Sequence, residues 1–268
     1  MKKNKIVLFD MDGTLTEARE KFNSKELSDG LYSLTNCGIE IGIITGSDED
    51  YLKQQMGAFL DKSSCRYKTH LLPCNGTKYY KPPEFATGDF KLNHEVSMEN
   101  HLGVENYREL ICELLCSQVD ACQIGTPLTG HFINCRGSMI NWSPIGRNAT
   151  QEHRREFVEL DKKKNVRSHF LNELRQILKV KGLLDMITIK FGGDTSFDIY
   201  PKGWNKTYGL RFFNDYEVWF VGDRCDENGN DKEIYEACHG RSYKTKGPED
   251  TVRIINSILK RINGVKNE

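Results

Sequence analysis

An α/β fold, built on a parallel sheet and interrupted by an inserted α+β segment, is predicted by three observations. Apolar runs at Ile6–Phe9, Ile39–Ile44 and Val218–Val221 each have the length of a buried strand, and each stops at a polar tip. Helical patterns follow such runs at both ends of the chain, which is the alternation of βαβ units. The rhythm then changes between Lys81-Pro82-Pro83-Glu84, which reads as a linker, and about Tyr200. The layout that accommodates all three is a discontinuous core, residues 1–85 plus 202–268, with an inserted α+β domain over 86–201.

The elements justify themselves in order. Ile6 to Phe9 forms the first strand. Ser24 can cap a helix that carries Leu27, Leu31 and Leu34 on one face and stops at Gly38. Ile39 to Ile44 is the second strand. Asp48 can cap the next helix, with Leu52, Met56, Phe59 and Leu60 together. In the insert, Tyr107, Leu110, Ile111, Leu114 and Leu115 mark one amphipathic helix, and Phe170, Leu171, Leu174, Ile177 and Leu178 another. His131–Asn134, Ser138–Ser143, Met186–Phe191 and Ser196–Tyr200 read as strands of an antiparallel sheet. Val218–Val221 returns to the core, and Val252, Ile255, Leu259 and Ile262 give a closing helix over Glu249–Ile262.

Composition points to a cytoplasmic enzyme. Lysine plus arginine and aspartate plus glutamate number 38 each, so no global field selects nucleic acid or an anionic membrane. The apolar run after Lys2, Lys3 and Lys5 is four residues long, too short for a signal peptide, and no stretch approaches a membrane span. Nine cysteines without a Cys-x-x-Cys pair argue against a disulfide framework or a zinc ribbon. Cys112 and Cys116, one helical turn apart beside Ile111 and Leu115, are expected as core thiols.

The strand tips carry the chemistry. The first ends in Asp10-Met11-Asp12-Gly13-Thr14, two carboxylates on either side of one residue and then a glycine that permits a sharp turn. In open α/β sheets, ligands bind at the carboxyl ends of the strands. Asp10 can attack phosphorus, and Asp12 can carry a proton. The second strand ends at Thr45-Gly46-Ser47, hydroxyls suited to a phosphate oxygen. Lys206 could offset the charge of carboxylates and phosphate, and Gly222-Asp223 closes a further strand with a carboxylate. Asp-x-Asp-Gly-Thr followed in order by these three resembles the haloacid dehalogenase superfamily of aspartyl-phosphate phosphatases and mutases. That resemblance implies a Rossmann-like core and a magnesium site from Asp10, the backbone carbonyl of Asp12, and Asp223.

A second cluster lies in the insert. Arg136, Arg147 and Arg154 fall within nineteen residues, and arginine suits bidentate phosphate recognition. The segment Arg136-Gly137-Ser138-Met139-Ile140-Asn141-Trp142-Ser143-Pro144-Ile145-Gly146-Arg147 resembles a stretch characteristic of eukaryotic-type phosphomannomutases. Glu159-Leu160-Asp161-Lys162-Lys163, Ser196-Phe197-Asp198, Gly203-Trp204, Gly229-Asn230-Asp231-Lys232-Glu233-Ile234 and Pro248-Glu249-Asp250-Thr251 extend the likeness over almost the whole chain.

The resemblance implies interconversion of mannose 6-phosphate and mannose 1-phosphate, with glucose phosphates as further substrates. The enzyme would use magnesium and a hexose 1,6-bisphosphate activator and feed GDP-mannose synthesis. It implies Asp10 as the residue that becomes phosphoaspartate, Asp12 as general acid/base, and Lys206 and Asp223 as partners of phosphoryl group and metal. Thr45 or Ser47 would bind phosphate. Arg19, Arg136, Arg147, Arg154, Ser196 and Asp198 would hold the sugar phosphate, with the insert as a cap that closes and mediates a homodimer. The sequence also departs from the family. Asp194 adds a carboxylate where glutamine is usual, Cys74 replaces a common glutamate, and Ala237 and Gly240 offer no side-chain oxygen where relatives hold a second ion. A capped sugar-phosphate phosphatase shares every core motif and is the alternative. A non-catalytic phosphosugar sensor would not need Asp10, Asp12, Lys206 and Asp223 intact.

Overall fold

The computed structural model describes residues 3–85, 88–227 and 229–264. The chain divides into two compact units, 1–95 with 205–268, and 96–204. The first unit is built on a seven-stranded sheet. In chain order its elements are β1 (Asn4–Phe9), α1 (Lys25–Asn36), β2 (Glu40–Ile44), α2 (Glu49–Lys62), β3 (Thr69–Leu72), β4 (Lys78–Lys81) and β5 (Lys91–Glu95). After the inserted unit come a 3-10 helix (Lys206–Phe213) and, following the insert's own strands in the numbering, β10 (Tyr216–Gly222), α7 (Lys232–Ala237), β11 (Ser242–Lys244) and α8 (Pro248–Ile262). The strand order is β11-β10-β1-β2-β3-β4-β5. The first five in that order run parallel, and β4 and β5 are antiparallel.

Burial on both faces explains why β1 is apolar from Ile6 to Phe9. Val7 and Phe9 pack with Leu27, Leu31, Leu52 and Ile255 from the helices on one face. Ile6 and Leu8 face the other side, with Phe213, Phe220 and Ile234. A sheet covered on both faces needs near-continuous hydrophobic strands, and each such side chain contributes about 1.5–3 kcal/mol when fully buried. The two expected caps are present. Ser24 Oγ accepts from Leu27 N at 3.2 Å, and Asp48 Oδ1 accepts from Tyr51 N at 2.9 Å.

The inserted unit contains α3 (Met98–Leu102), α4 (Val104–Ala121), β6 (Ile133–Cys135), β7 (Ile140–Trp142), α5 (Gln151–Lys164), α6 (Val166–Val180), β8 (Ile187–Gly192) and β9 (Ser196–Pro201). Its sheet is antiparallel throughout, in the order β6-β7-β9-β8. Trp142 anchors it, stacked on Phe197 at 4.8 Å and donating from Nε1 to Gln118 Oε1 at 2.8 Å.

Two expectations need correction. The sequence boundaries at 85/86 and 201/202 lie at 95/96 and 204/205, because β5 hydrogen-bonds to β4 and so belongs to the first unit's sheet. Cys112 and Cys116 are exposed rather than core thiols. The buried stripe of α4 runs through Leu110, Leu114, Ser117, Gln118 and Ala121, and a two-residue offset on a helix turns Cys112 and Cys116 to the far side with Leu115 and Val119.

Candidate active site

The register of the core sheet gathers the strand tips. Phe9 pairs with Val221 on one side and Ile43 on the other, so Asp10, Thr45 and Asp223 leave the same edge of three adjacent strands. The ladder is carried one residue further by Asp10 N, which donates to Val221 O at 2.9 Å. Gly13 has φ +82, and a Cβ there would lie 2.5 Å from Asp223 Oδ2. Glycine is therefore required both by the turn and by the approach of the second carboxylate.

Lys206, the first residue of the 3-10 helix, is fully buried and donates through Nζ to Asp10 Oδ1 and, at 2.5 Å, to Asp231 Oδ1. Asp10, Asp223 and Asp231 can each offer a carboxylate oxygen within 4.8 Å of the others. Burial raises the pKa of Asp10 well above its usual value, and repulsion from Asp231 and Asp223 adds to this while Lys206 opposes it. Asp223 is pushed up to about 6, by burial first and then by Asp231. Burial alone would depress Lys206, but Asp10 and Asp231 hold its proton more firmly than in water. Three carboxylates against one ammonium leave negative charge to be neutralised. Among the described residues, Asp223 Oδ1 is buried without a hydrogen-bond partner, as an oxygen kept for a cation would be. All-oxygen donors of this kind suit magnesium.

Asp12 faces a different set of neighbours. Its Oδ1 accepts from the Arg19 backbone N–H at 3.0 Å and from the Tyr51 hydroxyl at 2.9 Å. Neither donor reaches Oδ2. Arg19, expected as a substrate-contacting arginine, meets Asp12 through its main chain, in a left-handed conformation with φ +67. Thr45 is buried at the tip of β2. Its Oγ1 accepts from Ser47 N at 3.1 Å, which leaves the hydroxyl proton free to donate. The Ser47 carbonyl accepts from Cys74 N and the Thr45 carbonyl from Asn75 N, both at 2.8 Å, fixing the turn.

The inserted unit has its own polar cluster. Asn141 on β7 stands opposite Asp198 on β9. Its Nδ2 donates to Ser196 Oγ at 3.0 Å and Asp198 Oδ1 at 2.8 Å, and its Oδ1 accepts from Arg147 Nη1 at 2.9 Å. Arg136 Nη1 lies 4.0 Å from Asp198 Oδ1, with both side chains largely buried. Four expected residues, Arg136, Arg147, Ser196 and Asp198, therefore meet around Asn141. Arg154 is half-buried in the first turn of α5, which Thr150 caps.

Sequence reasoning missed Asp231 and Asn141. Both stood inside quoted motifs, but Asp231 lies beyond the strand tip, eight residues after Asp223. Its role depends on α7 beginning at Lys232 so as to return it to Lys206, and no local pattern announces that. Asn141 stood within the expected strand Ser138–Ser143, and no local pattern singled it out from its buried neighbours Ile140 and Trp142.

Comparison with solved structures supports the architecture. The chain superposes on an IMP-nucleotidase from Plasmodium falciparum with TM-score 0.65 at 14% identity, covering 96% of this chain and 70% of that one. It superposes on a trehalose-6-phosphate phosphatase from Aspergillus fumigatus with TM-score 0.52 at 16% identity, covering 97% and 93%. These likenesses show the fold class, a mixed α/β core of the haloacid dehalogenase type. Within that class, the family model for eukaryotic phosphomannomutase matches residues 27–261. A phosphomannomutase from Arabidopsis thaliana is 37% identical over 249 residues, 92% of this chain and 93% of that protein. One from Encephalitozoon cuniculi (strain GB-M1) is 37% identical over 261 residues, 96% and 94%. The chain belongs to the eukaryotic phosphomannomutase family, and is an isomerase that transfers a phosphoryl group within its substrate.

Proposed function

We propose that the protein interconverts mannose 6-phosphate and mannose 1-phosphate, through a phosphoaspartate at Asp10 and a hexose 1,6-bisphosphate. The observation that carries the mechanism is the pairing of two carboxylates in unlike surroundings: Asp10, buried against Lys206, and Asp12, held by neutral donors. Asp10 attacks the phosphorus of a bisphosphate, and the P–O bond to the sugar breaks as Asp12 delivers a proton to the leaving oxygen. In the reverse direction, Asp12 takes the proton of a sugar hydroxyl as that oxygen attacks the phosphoaspartate. Lys206 balances charge on the phosphoryl group, and Thr45, with Ser47, binds its oxygens.

Asp10 and Asp223 would hold a magnesium ion with the Asp12 carbonyl, and Asp231 would place Lys206 and complete the acidic shell. The ion, when bound, neutralises charge on the phosphoryl oxygens. Recognition of sugar phosphate falls to Arg19 and to Arg136, Arg147, Arg154, Ser196 and Asp198. Arginines fixed by Asn141 and Asp198 lose less freedom on binding a phosphate than solvated ones. The hexose 1,6-bisphosphate serves as activator, because only a phosphorylated Asp10 can accept a monophosphate productively.

We further assign a homodimer formed through the inserted units. Exposed Leu115 and Val119 on α4, and the outer edge of β6, which pairs with no further strand among the described residues, support that surface. A cytoplasmic place, supplying mannose 1-phosphate for GDP-mannose synthesis, accords with nine free cysteines. No helix among the described residues is long and apolar enough to cross a membrane. The reading is tested by incubating the protein with magnesium, mannose 1-phosphate and a hexose 1,6-bisphosphate. Mannose 6-phosphate is the expected product. Free mannose with inorganic phosphate would make the protein a phosphatase instead.

A further inference from the structure

We propose that Tyr51 is the positioning residue of the acid/base step, dedicating Asp12 Oδ1 to its own hydroxyl and the Arg19 amide so that Oδ2 carries the catalytic proton. This rests on the reading of Asp12 as general acid/base. Two donors converge on one oxygen, Tyr51 at 2.9 Å and Arg19 N at 3.0 Å. Among the described residues, Oδ2 has no hydrogen-bond partner.

Both donors are held from elsewhere. Tyr51 lies in the first turn of α2, where its own N–H donates to the capping Asp48 at 2.9 Å. That cap fixes the rotation of the helix about Tyr51, and the phenol is rigid with only two side-chain torsions. Arg19 presents its N–H from a left-handed conformation that a side-chain-bearing residue adopts at a cost. A carboxylate tied only by the main chain at one oxygen could still swing about Cβ–Cγ. The phenol, arriving from a second element, removes that freedom. A mutase benefits particularly, since the same oxygen must give a proton to one departing sugar oxygen and take one from another sugar hydroxyl within a turnover. If the oxygens exchanged, the proton would leave on the atom turned away from the substrate.

The inference separates reactions by leaving group. A sugar alkoxide needs the proton from Asp12, whereas acetate leaving from acetyl phosphate needs none. In Tyr51→Phe, with magnesium present, kcat on mannose 1-phosphate with a bisphosphate activator should fall about 10- to 100-fold, the span of one hydrogen bond to a charged group. KM should change by less than a few-fold, and first-turnover release of acetate from acetyl phosphate, which precedes any attack of water on phosphoaspartate, should stay within about twofold of wild type. Thermal melting checks the fold, and because Phe keeps the ring, a variant that melts with wild type isolates the hydroxyl. Equal loss on both donors would make Tyr51 a structural residue, and no loss on either would show that Arg19 N–H suffices. Both results overturn the proposal. Wild-type enzyme releasing free mannose and phosphate would instead overturn the mutase reading. The contrast between sugar phosphate and acetyl phosphate would then still decide for or against Tyr51.

Discussion

Replacing Lys206 by methionine, which has nearly the same length and no charge, should separate catalysis from metal binding. The ammonium is fully buried between Asp10 and Asp231. With all groups ionised, three carboxylates and one ammonium sum to −2, and the variant would stand at −3. Each lost pair is worth about 4 kcal/mol at 4 Å and an effective dielectric of 20. Much of that is offset because no ammonium need be desolvated, and breaking a buried pair typically costs about 3–5 kcal/mol. Asp10 and Asp223, whose pKa values are already raised, can also take up protons and limit the damage. A net loss of about 3 kcal/mol in metal-free stability at pH 7 follows, measurable by urea unfolding. Magnesium should bind at least about tenfold more tightly, since the site gains a negative charge. By titration calorimetry and melting, the variant should gain more from magnesium than wild type. Turnover should nonetheless fall about 10²–10³-fold, because the charge that develops on the transferring phosphoryl group loses its partner. A variant with weaker magnesium binding and nearly intact turnover would refute this electrostatic account of Lys206.

Other perturbations probe separate parts of the molecule. Gly13→Ala places a methyl 2.5 Å from Asp223 Oδ2 at φ +82, so it should weaken magnesium affinity by tenfold or more, checked by calorimetry. Arg147→Ala, which removes the donor to Asn141 Oδ1, should cost roughly 1.5–3 kcal/mol of sugar-phosphate binding and spare acetyl phosphate cleavage. Equal loss of both activities would place Arg147 in the core chemistry. Glu40 tests pH dependence away from the site. Burial pushes its carboxyl up, but hydrogen bonds from His70 and Tyr216 and the charge of Lys68 bring it below the usual range. A lowered folded-state pKa stabilises above the unfolded value and is lost as pH falls through the folded one. Glu40→Gln should therefore destabilise by about 1–2 kcal/mol at pH 7, and urea midpoints of variant and wild type should converge as pH falls below the usual glutamate range.

The sequence showed its strand tips because their chemistry is local. Four apolar residues ending in Asp10-Met11-Asp12-Gly13 make a strand, a turn and a pair of carboxylates at its tip without reference to the rest of the chain. The same holds for the caps at Ser24 and Asp48, whose hydrogen bonds span three residues. What escaped depends on distant partners. β4 and β5 carry Lys78, Lys81, Lys91 and Glu95, lie beyond the parallel strands and show little hydrophobic alternation, so only their pairing identifies them. α5 buries a single residue, Phe157, and therefore has no apolar stripe to read. Asp231 joins Lys206 over twenty-five residues of chain, and Tyr51 reaches Asp12 over thirty-nine. In α4 the error had another source: Ile111 and Leu115 lent an apolar look to the face holding Cys112 and Cys116, while the buried stripe ran through Leu110, Leu114 and Gln118.

The central claim is that Asp10 carries the phosphoryl group during isomerisation. Acid quenching of the working enzyme with mannose 1-phosphate, magnesium and a hexose 1,6-bisphosphate, followed by peptide mass analysis, tests it directly. The account predicts one phosphoryl group on the peptide containing Asp10, formed and discharged at least as fast as mannose 6-phosphate accumulates. It should be absent from a folded Asp10→Asn variant that no longer isomerises. Isomerisation without phosphorylated Asp10, or undiminished isomerisation by Asp10→Asn, would contradict it.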